Sequence, residues 1–276
     1  MSHNNETLDV WVKRINDIYI QSNGERDFKD VLLFSFEEVG RCSQLINRDH
    51  DNDIIEIVPN LFKWFCILYA KSGIKKNVSD VIWTKFPGIC PYCKRESCEC
   101  KYKKLKFDYN DLLRMAKETE HQKPQTLNDW QGLFEKIYSR TGDYKMEKNV
   151  SHLFEELSEL SEVHRLPFVE GEKDLVDMEL ADVFSWIMGF ANYFDQRKKR
   201  GRYLLSDALQ SAFGNSACPD CSDFRKKHDL KNNCSCSVMP QKLRLVSDYI
   251  DETDIEPTNG SPVNNDEQEI KFRCDG

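Results

Sequence analysis

Hydrophobic positions recur along this chain at the spacing of one helical face, and strand-type alternation is scarce. Near the start, Thr7-Leu8-Asp9-Val10-Trp11 is followed by Ile18-Tyr19, a threonine cap and then a periodic apolar stripe. The same arrangement returns at Thr126-Leu127-Asn128-Asp129-Trp130 and Ile137-Tyr138. Further landmarks recur in the same order. Phe36-Glu37-Glu38-Val39 matches Phe154-Glu155-Glu156-Leu157, and Leu61-Phe62-Lys63-Trp64 matches Val183-Phe184-Ser185-Trp186. Val78-Ser79-Asp80 matches Leu205-Ser206-Asp207, and a cysteine-rich segment follows each. The pattern predicts an all-α protein of two helical repeats packed into one bundle. The expected organisation is a first repeat over 1–105 and a connecting helix or linker over 106–125. A second repeat over 126–240 and a flexible tail over 241–276 complete it. The linker helix should cover about 105–120 and stop before Pro124.

Composition sharpens this reading in two places. The 276 residues carry a net charge of -8, and most of it belongs to the tail. From Ile250 onward the chain holds eight acids and two bases, with Pro257, Asn259, Gly260, Ser261 and Pro262 among them. The tail reads as a solvated extension; an autoinhibitory or partner-binding role is the alternative. No apolar run reaches the ~20 residues of a membrane span, and the start lacks the apolar core of a signal peptide, so a cytoplasmic location is expected. The negative charge argues against a nucleic-acid partner.

The 11 cysteines are too many for an ordinary cytosolic chain. Eight form two clusters: Cys90, Cys93, Cys98 and Cys100, then Cys218, Cys221, Cys234 and Cys236. Each is a C-x-x-C knuckle followed by a C-x-C pair. Four thiolates in a short loop suit tetrahedral Zn²⁺ and leave no open position, so two structural zinc ions per chain are expected. Disulfide or redox pairs, an iron–sulfur centre and nucleic-acid contacts are the alternatives. Cys42 and Cys66 lie in apolar helical patterns and read as core.

The second repeat also carries an acidic constellation. Glu155, Glu156 and Glu159 precede Glu179 and Asp182 on the next long helix. Residues three apart share a helical face, so Glu156 joins Glu159 and Glu179 joins Asp182. Leu175, Met178, Glu179, Asp182, Val183, Trp186 and Phe190 form one stripe that should face the core. Buried carboxylates are costly unless paired or bound to metal, and no base lies between Asp174 and Asp195. Carboxylate-only ligation suits Mg²⁺ or Mn²⁺, ions that bridge to substrate phosphates. A solvated acidic face is the plainer reading of the first pair.

The pattern E-E-x-x-E, a spacer and then E-x-x-D resembles the signature of the MazG-like all-α nucleoside triphosphate pyrophosphohydrolases. It stands here as Glu155-Glu156-Leu157-Ser158-Glu159 and Glu179-Leu180-Ala181-Asp182. The resemblance covers most of 127–236, with a degraded version over 8–100. It implies Mg²⁺-dependent hydrolysis of a nucleoside triphosphate to the monophosphate and pyrophosphate. It also implies Glu156, Glu159, Glu179 and Asp182 as ligands, with Glu155 in a supporting role. The corresponding positions of the first repeat are Glu38, Arg41, about Ile57 and Asn60, so that copy should bind no metal. Pro59 should bend or delay its helix.

Family members build their sites between two protomers. The first repeat would then play the second protomer of a pseudo-dimer, with Arg41 or Lys63 reaching substrate phosphates. Further self-association is left open. Arg197 and Lys198 open a basic run that reads as a solvated loop or as phosphate steering. Two other functions remain in view: a nucleotide-sensing or partner-binding module that keeps the fold, and a zinc-knuckle nucleic-acid-binding protein.

Overall fold

The structure is a computed structural model that describes residues 6–20, 22–47, 51–100, 107–138, 146–165, 173–197 and 202–214, with backbone alone at 51–54, 173–174 and 197. The chain divides into two units, Met1–Met239 and Pro240–Gly276, and the second lies outside the described residues. The expected tail, the second cysteine cluster and Lys198 fall outside them as well, as does the side chain of Arg197.

Among the described residues all regular structure is helical. The elements are α1 (Leu8–Tyr19), α2 (Phe28–Asn47), α3 (Asp51–Lys71), α4 (Val78–Lys85), α5 (Tyr109–Glu118), α6 (Leu127–Tyr138), α7 (Met146–Arg165), α8 (Lys173–Arg197) and α9 (Leu205–Phe213). A short 3₁₀ turn at Glu120–Gln122 follows α5. The connecting helix is therefore shorter than its apolar pattern suggested. Asp108 accepts from the Asp111 N–H and fixes its start, and the chain tightens after Glu118 ahead of Pro124.

Local capping explains where several helices begin. The Thr7 hydroxyl accepts from the Val10 N–H at 3.2 Å. At α6, Thr126 and Asp129 bond reciprocally, with the Asp129 N–H on Thr126 Oγ1 at 3.1 Å and the Thr126 N–H on Asp129 Oδ2 at 2.9 Å. Asp27 and Asp30 make the same exchange at the start of α2.

The helices pack in a matched order. The pair α2–α3 packs as α7–α8 does, and the two pairs join through α2 on α7 and α3 on α8. Helix α1 lies on α3 as α6 lies on α8. Helix α4 crosses onto α8, and α9 crosses onto α3. Residues from matching sequence landmarks meet, Phe62 with Phe184 in the buried core at 6.4 Å and Phe36 with Phe154 near the surface at 5.1 Å between ring centres. Trp83, Trp130, Phe86, Phe134, Phe65 and Phe184 fill one aromatic core. Cys42 and Cys66 are buried in it, as their helical patterns required.

Helix α3 runs through Pro59 without a break. Proline cannot donate to the carbonyl of Ile55, four residues earlier. The Tyr203 hydroxyl, from the far side of the bundle, donates to that oxygen at 3.4 Å. The freed carbonyl is thus satisfied by a tertiary contact, so the proline does not delay the helix. No described helix is long and apolar enough to cross a membrane.

Candidate functional site

Helices α7 and α8 bring three carboxylates together. Oxygens of Glu156, Glu179 and Asp182 all lie within 4.8 Å of one another. Asp182 is buried, and Glu156 and Glu179 are half-buried. The reason is geometric: both segments run along helices that face each other, and each acid sits on the inward face beside Val183, Trp186 and Leu160. The Trp186 indole N–H donates to Glu156 Oε1 at 3.0 Å and fixes that carboxylate. The Trp186 ring is itself held by stacking on His152, with centres 4.4 Å apart. Glu179 Oε2 is buried without a hydrogen-bond partner, an orphaned acceptor that a bound cation would satisfy.

The flanking acids differ. Glu159 is exposed at the rim, where its charge adds, after burial and Asp182, to the rise of Glu179. Glu155 is exposed and bonds to His152 Nδ1 at 3.0 Å, facing away from the group of three. Leu175, expected on the buried stripe, is 41% exposed and lies at the outer end of α8.

Burial and mutual repulsion favour protonation in this cluster. Burial, then the Asp182 charge, pushes Glu156 up to about 8 from the usual carboxylate value. Burial pushes Glu179 up to about 7, with Lys85 opposing the rise. Burial also raises Asp182, again against Lys85.

Lys85 is the partner that the sequence did not reveal. It lies in the last turn of α4, is 2% exposed, and donates to Asp182 Oδ2 and to the Met178 carbonyl. No base stands near Asp182 in sequence, but the crossing of α4 onto α8 supplies one from 97 residues away. Lys76 serves Asp177 in the same way, at 2.7 Å. Tyr92 feels the acidic group: burial first, then the charges of Asp182, Glu156, Glu179 and Glu159, raise its hydroxyl. Its ring lies 6.0 Å from Phe107, which in turn lies 5.7 Å from the Lys85 ammonium.

The two bases expected to serve the site make other contacts among the described residues. Lys63 is buried with its ammonium 4.6 Å over Trp64 and 5.5 Å over Tyr19. Arg41 is exposed and pairs with Glu38 at 3.2 Å. Arg202, from the basic run after α8, pairs with Asp195 and Glu135.

Tyr92 sits inside the first cysteine cluster. The sulfurs of Cys90, Cys93, Cys98 and Cys100 lie within 4.8 Å of one another, and all four are free thiols. Cys90 and Cys100 sulfurs are 3.5 Å apart, close to the roughly 3.8 Å edge of four sulfurs set tetrahedrally at zinc–thiolate distance. The loop is built for this. Gly88, at φ +80, turns the chain after α4. The Lys94 N–H closes onto the Cys90 carbonyl at 2.8 Å, and the Glu99 N–H donates to Cys93 Sγ at 3.2 Å. Burial raises Cys90, whereas backbone N–H bonds overcome burial at Cys93 and lower it. The donor set fits a soft metal ion, and the acidic set fits a hard one.

No family model, no curated protein and no solved structure matches the chain.

Proposed function

We propose that this chain is a divalent-cation-dependent nucleoside triphosphate pyrophosphohydrolase, acting through the carboxylates of α7 and α8. One observation carries the reading: three inward carboxylates from two facing helices lie within 4.8 Å, and a buried oxygen of Glu179 lacks a partner. Mg²⁺ or Mn²⁺ bound by Glu156, Glu179 and Asp182, with Glu159 at the rim, would neutralise phosphate charge and make water a better nucleophile. The chain's own residues do the rest. Trp186 orients Glu156, and one carboxylate oxygen of the cluster not taken up by the ion would accept the single proton that the attacking water loses. Lys85 closes the site from the α4 side. The products are the nucleoside monophosphate and pyrophosphate.

The matched packing of α1–α4 and α6–α9, with Phe36 on Phe154 and Phe62 on Phe184, supports a duplicated MazG-like unit folded as a pseudo-dimer. The cluster of Cys90, Cys93, Cys98 and Cys100 would hold structural zinc, in keeping with its thiol-only donors. A second reading, a nucleotide-sensing module without turnover, is favoured by one feature: Lys85 already gives Asp182 a positive partner.

The test is a panel of nucleoside triphosphates incubated with Mg²⁺ and resolved by chromatography. Monophosphate plus pyrophosphate, lost in Asp182→Asn and Glu179→Gln, supports the enzyme. Saturable nucleotide binding without products supports the sensing module. Diphosphate plus phosphate changes the reaction class.

A further inference from the structure

The α4 lysine occupies an unusual place. It is buried, it comes from the half of the chain that lacks the acids, and its ammonium sits on the most buried carboxylate of the cluster. An ammonium has three donors and no acceptor, so it seeks oxygens as a metal ion does. Two of its contacts are oxygens, Asp182 Oδ2 and the Met178 carbonyl at 3.2 Å. The Phe107 ring, 5.7 Å away, adds a cation–π contact. A divalent ion among Glu156, Glu179 and Asp182 would draw on the same carboxylate that Lys85 holds, and it would repel the ammonium at short range.

We infer that Lys85 is the resident counter-cation of the acidic cluster, and that a divalent cation binds by taking Asp182 from it. This rests on the reading of the cluster as a cation site. The exchange breaks no covalent bond: one ammonium leaves the carboxylate and one ion takes its place. The lysine therefore opposes metal binding, and the opposition prevents an unneutralised group of acids from being buried when metal is absent. Lys85 acts through Asp182, so it is a positioning residue.

The sign of the effect separates this role from a purely structural one. Mn²⁺ binding is measured on the full chain by the loss of the free-ion paramagnetic resonance signal. Lys85→Met should bind Mn²⁺ at least about tenfold more tightly than the wild type, because the competing charge is gone. Asp182→Asn should lose the site. Lys85→Gln and the Mn²⁺-induced rise in melting temperature give a second reading if Lys85→Met folds poorly, since the metal should rescue the lysine variants more than the wild type. Equal or weaker Mn²⁺ binding in both lysine variants overturns the counter-cation role and leaves the cation reading intact. If neither the wild type nor any variant binds Mn²⁺, the cation reading falls, and the inference falls with it.

Discussion

Helix pairs α2–α3 and α7–α8 share one scaffold and differ in what they bury. In α7–α8, Trp186 stacks on His152 and donates to Glu156. In α2–α3, Trp64 stacks on Phe34 with centres 4.9 Å apart, and Glu38 answers to Arg41 on its own helix. Glu179 and Asp182 have Ile57 and Asn60 at the matching positions. The helix crossing each pair differs too. Helix α4 brings Lys85 to Asp182. Helix α9 brings Ala212, five residues after its own Ser-Asp landmark, to a cavity of about 440 Å³ lined by Ile55, Pro59 and Tyr203. The aromatic stack and the packing order survive with Glu38 as the one acid kept of the four, so they serve the fold. Glu179, Asp182 and the Lys85 contact are found together in one pair and their matching positions hold no acid in the other.

That contrast can be broken most forcefully at Asp182. Asp182→Asn should reduce hydrolysis at least a hundredfold, the scale on which removing a metal ligand acts. It should also lower stability by roughly 3–5 kcal/mol, because Lys85 keeps its buried charge without a carboxylate to balance it. Hydrolysis assays and urea unfolding read the two effects. Asn60→Asp, the matching change in α3, should create no activity. Activity gained there, or kept in Asp182→Asn, would erase the distinction between the halves.

The cysteine loop comes next in size. Cys93→Ser should remove one bound soft metal ion per chain from the first cluster and cost roughly 2–4 kcal/mol. Because Tyr92 lies between Cys90 and Cys93, the same change should weaken hydrolysis as well. Metal analysis and thermal unfolding check the first part. Unchanged metal content would remove the site.

Protonation offers a third test. Glu156 and Glu179 are raised to about 8 and about 7 in the folded chain, above the usual carboxylate value of 4.5. Between these limits the folded state binds more protons than the unfolded state, so metal-free stability should fall as pH rises from about 4.5 to about 8. Mn²⁺ must displace those protons, so its affinity should rise over the upper part of that window, with proton release on binding. Melting temperatures with and without Mn²⁺ across this range measure both slopes. Equal slopes would show that the acids which titrate are not those that hold the ion.

The smallest effect concerns α3. Tyr203→Phe should cost about 1 kcal/mol by leaving the Ile55 carbonyl unpaired, and Pro59→Ala should cancel that cost by restoring the helical N–H. A double-mutant cycle by urea unfolding reads the coupling. An additive cycle would mean that the tyrosine does not stand in for the missing helix bond.

Much of this was legible along the chain. The period of apolar residues placed the helices, the recurrence of Thr-Leu and Phe-Glu-Glu landmarks anticipated matched pairs, and the spacings of Cys90–Cys100 and Glu156–Asp182 marked both clusters. Helical periodicity tells which side of a helix faces inward, but not which other helix it meets. Lys85 was therefore invisible as the partner of Asp182, since only the crossing of α4 onto α8 joins them. The same limit explains Lys63. Its basic head suggested a phosphate contact, and the fold lays that head over the rings of Trp64 and Tyr19. Pro59 looked like a break because the rule counts only the helix's own donors, and the Tyr203 hydroxyl supplies another.

The central claim is that the acids of α7 and α8 form a divalent-cation site and their counterparts in α2 and α3 do not. Anomalous scattering from crystals soaked in Mn²⁺ tests it directly. The account predicts one manganese peak among Glu156, Glu179 and Asp182, with the Lys85 ammonium moved off Asp182, and none near Ile57 and Asn60. An acidic cluster without manganese, with Lys85 still on Asp182, would contradict it.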